Sequence, residues 1–393
     1  MSSITDLGLA ASLDRLGTET AFSVLARARE LEREGREIVH LEIGEPDFDT
    51  PAHICEAAFE AMRAGQTHYC PSAGIAEFRE VAAASLAETR GVPIDPANVL
   101  VATGAKPFLF FTILAVCNPG DEVVYPDPGF PIYESAIRWI GATPVPLPLL
   151  EERDFTFSPE DLAERLGSRT KLVILNSPQN PTGGVVPEPD LREAAELIRA
   201  TPAWVLSDEV YSRMLYDGAF ASIASVPGML ERTIVLDGLS KTYAMTGWRC
   251  GYAAVPEPLV EPLVRFFVNS TSCVPPFVQQ AGVTALTGPQ DAPAAMLEEF
   301  RARRELIVSG LNELPGISCR MPRGAFYAFP NVGDTPIGAD ELASRLLEEA
   351  GVAVLAGSAF GRVGEPNLRL SYANSRENLA LALERMRTFL ETL

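Results

Sequence analysis

The chain has 393 residues, which is too long for one small hydrophobic core and predicts two or three domains. Hydrophobic residues make up 47% and charged residues 21% of the sequence, the composition of an ordinary soluble globular protein. The net charge of −20 argues against a nucleic-acid partner, because binding to phosphates depends on clustered cations.

The N-terminal part of the chain is predicted to form helices around one short strand. Apolar residues at helical spacing indicate a helix over residues 18–34 that stops at Gly35, and alternation indicates a strand over 38–43. The octad 44–51 has the composition of a loop, since its two prolines block a helix and Gly44 permits close backbone approach. Two further helices are predicted over 52–64 and 75–89.

From residue 98 onward, short apolar strands alternate with helices. Strands are predicted over 99–102, 121–125, 143–147, 171–176, 203–207, 233–236 and 250–255, and helices over 103–118, 130–140, 159–166 and 189–199. Strands that are apolar along their whole length and alternate with helices predict a mostly parallel sheet covered on both faces. In such sheets ligands bind at the carboxyl ends of the strands.

Past residue 257 long helical patterns precede a compact mixed segment. Helices are predicted over 259–267, 278–286, 297–311, 340–349 and from 376, and strands over 352–355 and 368–372, while 325–329 belongs to the mixed segment. The predicted fold is therefore α/β, with a large domain built on the mostly parallel sheet and a smaller α+β domain. We expect residues 1–45 to form an N-terminal arm and part of the small domain, 46–288 the large domain, and 289–393 the small C-terminal domain.

The remaining compositional signals are negative. The six cysteines are scattered without a Cys-x-x-Cys pair, and the three histidines show no metal-ligand spacing, so we expect reduced thiols and no metal site. Neither a signal-peptide pattern nor an apolar run of membrane-spanning length is visible. The expectation is a soluble cytoplasmic protein with no membrane partner.

The stretch 237–252 places Lys241 directly after a β-branched run and Arg249 eight residues later. An amine at a strand end beside a fixed cation suits Schiff-base chemistry on a phosphorylated carbonyl cofactor. The chain has only three lysines, and the other two are Lys106 and Lys171. A solvated surface lysine is the alternative interpretation, and this scarcity weakens it.

Several loop motifs together resemble one known family. They are Gly44-Glu45-Pro46-Asp47-Phe48, Thr103-Gly104-Ala105-Lys106, residues 176–183 (Asn-Ser-Pro-Gln-Asn-Pro-Thr-Gly), Ser207-Asp208-Glu209-Val210-Tyr211, Ser240-Lys241 with Gly247-Trp248-Arg249, and Arg369 in Leu-Arg-Leu-Ser-Tyr. In this order and spacing the chain resembles the class I/II aminotransferases of the fold-type I pyridoxal-phosphate enzymes, from about Ala21 to the last helix.

The resemblance implies pyridoxal 5′-phosphate as the cofactor and gives catalytic roles to Lys241, Asp208 and Tyr211. Lys241 would form the Schiff base and then move the proton between the substrate Cα and the cofactor. Asp208 would pair with the pyridine nitrogen, although an Asp after a strand commonly caps a helix instead. Tyr211 and Asn180 would hydrogen-bond the phenolate oxygen of the cofactor.

The resemblance also implies how the phosphate and the ring are held. The phosphate would lie against Gly104, Ala105, Lys106, Ser240 and Arg249, where backbone amides open a helix. Gly238 departs from the family pattern, because many relatives carry a serine there. Phe130 would stack on the ring, and Tyr69 would reach the phosphate of a neighbouring subunit, which implies a homodimer with shared sites.

Substrate binding is expected to depend mainly on Arg369, whose planar guanidinium can bind an α-carboxylate through two hydrogen bonds. Gly44 and Asn180 would complete this part of the site. Lys106 stands where some relatives that accept dicarboxylic substrates carry a lysine, which would favour aspartate or glutamate. Contact with the phosphate or with solvent is the alternative for Lys106.

Three functions are compatible with these motifs. The first is an aminotransferase that moves an amino group from an L-amino acid to a 2-oxo acid. The second is a pyridoxal-phosphate lyase, oxidase or γ-replacement enzyme, since reaction type does not follow from fold. The third is a non-catalytic cofactor-binding module of a transcription regulator, which the acidic charge disfavours.

Overall fold

A computed structural model describes residues 8–393 of the chain. Its strands are β1 Val39–His40, β2 Val99–Ala102, β3 Glu122–Asp127, β4 Thr143–Pro148, β5 Thr170–Asn176, β6 Trp204–Asp208, β7 Thr233–Gly238, β8 Gly251–Ala254, β9 Tyr327–Ala328, β10 Val352–Ala353, β11 Leu355–Ala356 and β12 Leu368–Ser371. Its helices are α1 Thr20–Arg33, α2 Ala52–Arg63, α3 Ala76–Arg90, α4 Lys106–Val116, α5 Ile132–Trp139, α6 Pro159–Arg165, α7 Glu188–Arg199, α8 Leu239–Thr242, α9 Glu257–Ser270, α10 Pro276–Thr287, α11 Asp291–Asn312, α12 Ala339–Arg345 and α13 Arg376–Leu390.

A seven-stranded sheet in the order β2-β8-β7-β6-β5-β3-β4 organises the larger part of the chain. Only β8 runs against its neighbours, pairing antiparallel with β2 and with β7. The sheet is therefore mostly parallel, as the sequence predicts. The order of the strands brings the carboxyl ends of β5, β6 and β7 side by side.

Both faces of this sheet are covered by helices. The side chains of consecutive strand residues therefore pack in different hydrophobic cores. Leu172 packs with α4, α5 and α9 on one face, whereas Val173 packs with α6 and α7 on the other. Near β2 and β8, helices α2, α3 and α10 cover that second face. The near-continuous apolar sequences of the inner strands β5, β6 and β7 have this cause, since nearly every one of their residues is buried on one side or the other.

A separate core unites the C-terminal elements. Helices α11, α12 and α13 pack on the antiparallel sheet β11-β12-β9. Strand β1 pairs in parallel with β10, so a segment from the N-terminal region joins the C-terminal elements. The predicted domain boundaries, 1–45, 46–288 and 289–393, stay a prediction.

Three local predictions differ from the structure. The strand predicted over 352–355 is divided into β10 and β11, which pair in different sheets. The helix predicted over 340–349 changes from α12 to a π-helical turn at 346–350. Lys241 lies in the single turn α8 rather than in an open loop, and the buried side chain of Leu239 fixes this turn against the sheet. Within residues 8–393 no helix is long and apolar enough to cross a bilayer.

Candidate active site

A cavity of about 380 Å³ opens at the carboxyl ends of β5, β6 and β7. Most of the side chains singled out in the sequence line it, namely Gly44, Ala105, Lys106, Phe130, Asn180, Asp208, Tyr211, Ser240, Lys241, Arg249 and Arg369. Gly104 lies directly beside the cavity, against Arg249. Tyr69 does not line it, and its side chain is 90% exposed. Within residues 8–393 no cluster of acidic, histidine or cysteine side chains is arranged to hold a metal ion.

Lys241 projects into the cavity from α8. Its Nζ donates a 2.6 Å hydrogen bond to the carbonyl oxygen of Gly44, and it lies 5.9 Å from the centroid of the Tyr211 ring. Burial lowers the pKa of Lys241 to about 8, and the positive charges of Arg369 and Arg249 act in the same direction. An amine with this pKa is unprotonated in an appreciable fraction near neutral pH, which is the form that attacks a carbonyl carbon.

Asp208 ends β6 at the floor of the cavity and is only 5% exposed. Its Oδ2 accepts a 2.7 Å hydrogen bond from the hydroxyl of Tyr133, whereas its buried Oδ1 has no partner among the described residues. Burial raises the pKa of Asp208 to about 6. A buried carboxylate oxygen without a donor is unfavourable unless a ligand supplies one.

Asn180 and Tyr211 enter the cavity from neighbouring loops. The backbone amide of Asn180 donates a 3.1 Å bond to Asn176 Oδ1, and the Oδ1 atom of Asn180 is buried without a partner in the described part of the chain. The hydroxyls of Tyr211 and Tyr327 are 2.7 Å apart. Both side chains therefore present polar groups to the same space as Lys241.

A cationic recess lies where α4 begins. Arg249 donates hydrogen bonds to the carbonyl oxygens of Thr246 (2.7 Å) and Thr103 (3.3 Å), and its backbone has a positive φ of 55°. Gly104 has a φ of 91°, and a Cβ there would collide with the Arg249 guanidinium. Together with Ala105 at the start of the helix, the recess combines backbone amides with a fixed cation, which suits an anion.

The backbone conformation at position 238 does not require a glycine. Its φ of −176° is extended backbone that any residue adopts. A Cβ at this position would meet the Cα of Gly251 at 3.5 Å and the carbonyl oxygen of Cys250 at 3.6 Å, which are ordinary contacts. A serine would therefore fit, and nothing in the structure explains the glycine.

Arg369 on β12 lies at the opposite wall and is 4% exposed. Its guanidinium donates to the carbonyl oxygen of Glu42, and its carbon Cζ lies 4.9 Å from the Tyr327 ring centroid and 5.1 Å from that of Phe360. Burial lowers the pKa of Arg369. The side chain is held by aromatic rings and a carbonyl rather than by a carboxylate, so its charge remains available to an anionic ligand.

Lys106 forms an ion pair with Glu19, the residue that precedes α1. Its Nζ also lies 5.5 Å from the ring centroid of Phe130 and 5.8 Å from that of Phe22. Four residues that no sequence motif marks also line the cavity, namely Glu19, Phe22, Tyr133 and Tyr327. Their residue types are common in cores and on surfaces, and only tertiary contacts bring them here.

The fold and this arrangement of loops define a class of enzyme, the aminotransferases. The family model for aminotransferase class I and II matches residues 36–386, and the chain belongs to this family. It is 41% identical to aromatic-amino-acid aminotransferase 2 of Thermococcus litoralis over 90% of this chain and 92% of that protein. It is 37% identical to the aspartate aminotransferase of Geobacillus stearothermophilus over 98% and 99% of the two chains.

Solved structures give the same result. The crystal structure of the aspartate aminotransferase from Rhizobium meliloti superposes with a TM-score of 0.93 at 37% identity, covering 98% of this chain and 99% of that one. The fold class predicted from the sequence is thereby confirmed, and the protein is a transaminase. Of the three functions that the motifs left open, the first is confirmed.

Proposed function

We propose that this aminotransferase uses pyridoxal 5′-phosphate, held by Lys241, to move an amino group from an L-amino acid to a 2-oxo acid. The observation that carries the proposal is the presence in one cavity of a buried amine of lowered pKa, Lys241, and a carboxylate oxygen of Asp208 that has no partner among residues 8–393. Aminotransferase chemistry requires a carbonyl cofactor, and these two groups suit its aldehyde and its ring nitrogen.

The remaining residues fit the same cofactor. The recess of Gly104, Ala105, Ser240 and Arg249 would take the phosphate, because it offers amides, a hydroxyl and a cation. Phe130 lines the cavity beside Lys106 and would pack on the ring. Asn180 and Tyr211 would hydrogen-bond the phenolic oxygen.

Different residues of this chain would have different roles in the reaction. Bound in the cavity, the cofactor supplies an electron sink for the charge that develops at the substrate Cα. Asp208 would hold the ring nitrogen of that group in its protonated form. The amine of Lys241 takes the proton from the substrate Cα and returns a proton to complete the transfer. Arg369 orients the α-carboxylate, and the backbone of Gly44 closes this side of the site.

The substrates are proposed from the relatives. Relatives at 37–41% identity are named for aspartate or for aromatic amino acids, so we propose that the donor belongs to one of these two classes. We also propose a homodimer, in which the exposed Tyr69 would contribute to the site of the neighbouring subunit. A cytoplasmic location stays a prediction, based on cysteines that form no disulfide.

The proposed function is tested by the half-reaction. Purified protein with bound cofactor, given an L-amino acid but no oxo acid, should convert the cofactor stoichiometrically to its amine form. Addition of 2-oxoglutarate should reverse the change, and absorbance spectroscopy follows both steps. A donor panel of aspartate, alanine, phenylalanine and leucine would rank the substrates. Continuous release of ammonia or peroxide without an acceptor would contradict transamination.

Substitution of Arg369 tests the proposed carboxylate site. Arg369→Lys keeps the charge but loses the planar pair of donors, and we expect kcat/KM for every amino acid to fall by about 10²-fold. The loss should appear mainly in KM, because the contact is made before the reaction begins. Arg362→Lys, on a surface turn of the same region, is the matched control. An unchanged KM in the Arg369 variant would refute the assignment.

A further inference from the structure

The charged side chains of the cavity are not equivalent. Four of them are basic, namely Lys106, Lys241, Arg249 and Arg369. Within residues 8–393, Lys106 alone of the four has a carboxylate within 4.0 Å, and its partner is Glu19. Arg249 and Arg369 are held by carbonyl oxygens and retain their full charge toward a ligand. In the proposed function they meet the phosphate and the α-carboxylate.

A second carboxylate on the substrate would therefore meet a neutralised cation. Lys106 is the remaining basic group of the cavity, and its charge is already balanced by Glu19. The side chain of Glu19 is 16% exposed and that of Lys106 is 44% exposed, so water screens the pair in part and mainly from the lysine side. The negative charge of Glu19 also acts on Arg369. Burial lowers the pKa of Arg369, and the charge of Glu19 opposes this shift.

Glu19 has no evident structural role that would explain its position. It precedes α1, yet its side chain does not cap that helix. The segment before it is held to α5 by other residues: Arg15 donates to the carbonyl oxygens of Arg138 and Trp139 at 3.1 Å each, and the Gly17 amide donates to Ser135 at 2.9 Å. The backbone is thus fixed at the rim of the cavity, and the carboxylate is directed to Lys106.

The walls beside the pair are apolar. Phe22 and Phe130 both lie within 6 Å of Lys106 Nζ, measured to their ring centroids at 5.8 and 5.5 Å. Since Phe130 packs on the cofactor ring in the proposed function, Phe22 is the ring on which an aromatic or aliphatic substrate side chain packs without disturbing the ion pair. A side-chain carboxylate, in contrast, gains a cation only if Glu19 leaves Lys106, and otherwise meets a like charge.

We propose that Glu19 is a specificity-determining residue: it neutralises Lys106, so that the cavity accepts a neutral side chain with the pair intact and a side-chain carboxylate only when Glu19 releases Lys106. The inference rests on the proposed function, because it assumes that Arg369 holds the α-carboxylate. Glu19 thereby biases the enzyme toward aromatic and other neutral donors and away from aspartate and glutamate.

Binding of two unreactive probes to the protein with bound cofactor tests this inference. Succinate carries two carboxylates, and 3-phenylpropionate carries one carboxylate and a ring. We expect Glu19→Gln to shift the ratio of their dissociation constants toward succinate by at least about tenfold, because Lys106 becomes free. Titration calorimetry gives both constants. The ratio of kcat/KM for aspartate and phenylalanine should shift in the same direction.

Two further variants separate specificity from a structural effect. In Glu19→Gln/Lys106→Met the gain for succinate should disappear, because the gain depends on the freed cation. Glu30→Gln makes the same change at an exposed site on α1 and should leave the ratio as in the native protein. An unchanged ratio in Glu19→Gln, or a shift toward 3-phenylpropionate, would overturn the inference while the half-reaction still supports the proposed function. Failure of both probes to bind any variant would overturn the Arg369 assignment and the inference with it.

Discussion

Replacement of Lys241 by methionine is expected to lower the rate of transamination by at least about 10⁴-fold, because one side chain both holds the cofactor and moves the proton. Methionine keeps the volume of the lysine stem, so the loss is chemical. Steady-state rates with the best donor of the panel measure it. Lys171→Met, on β5, is the matched control and should retain activity. Turnover above about 1% of the native rate in the Lys241 variant would rule out its central role.

Stability of the cofactor-free protein gives an independent measurement on the same variant. The pKa of Lys241 falls from 10.5 to about 8 on folding. Between these values the unfolded chain binds more protons than the folded one, so native stability rises with pH across this window. Lys241→Met lacks this titration and should be the more stable protein at pH 7. Its advantage, measured by urea unfolding, should shrink as the pH rises from about 8 toward 10.5.

Much of the large sheet was predictable because its strands lie near the helices that cover them in the sequence. An apolar run such as β5 or β6 is buried on both faces wherever it lies in a parallel sheet, so the pattern indicates the architecture directly. The sequence pattern does not show whether a strand runs parallel or antiparallel to its neighbours. Strand β8 is as apolar as its neighbours but antiparallel to both, and only its pairings distinguish it.

The short strands of the C-terminal region were harder to predict from the sequence, for a related reason. Residues 352–356 form one extended apolar run in sequence, yet β10 pairs with β1 and β11 pairs with β12. The partners lie hundreds of residues away or just downstream, and local alternation cannot choose between them. Prediction failed where pairing between distant segments decides the structure.

The residues of the candidate site also divide into those that a local motif predicts and those that only tertiary contacts reveal. Lys241, Asp208 and Arg249 lie within or beside short motifs at strand ends, and the fold brings strand ends together. Glu19 and Tyr327 lack such a motif. The first reaches the cavity from the residue before α1 and the second from β9, and each is recognisable only by its partner, Lys106 or Tyr211. The roles of all these residues stay predictions that the variants test.

Asp208→Asn is expected to lower kcat by about 10³-fold, because an amide cannot hold a pyridine nitrogen in its protonated form. The neighbouring Glu209 shows why Asp208 is the candidate. Glu209 is also buried, but Arg90 donates to it at 2.8 Å and serine hydroxyls donate to its other oxygen. Asp208, in contrast, has one oxygen to which no group in the described part of the chain donates. Asp190→Asn on α7 is the control, and equal rates in the two variants would contradict the assignment.

The pH dependence of stability distinguishes loss of this chemistry from damage to the fold. Folding raises the pKa of Asp208 from 3.8 to about 6, so between these values the folded protein binds more protons than the unfolded chain. The contribution of Asp208 to the free energy of unfolding is therefore fully present below about pH 4 and is lost as the pH rises through 6. Cofactor-free Asp208→Asn avoids the buried charge and should be more stable than the native protein at pH 7, by a margin that shrinks toward pH 4. A variant that is inactive and also less stable at pH 7 would show that Asp208 supports the fold rather than the cofactor.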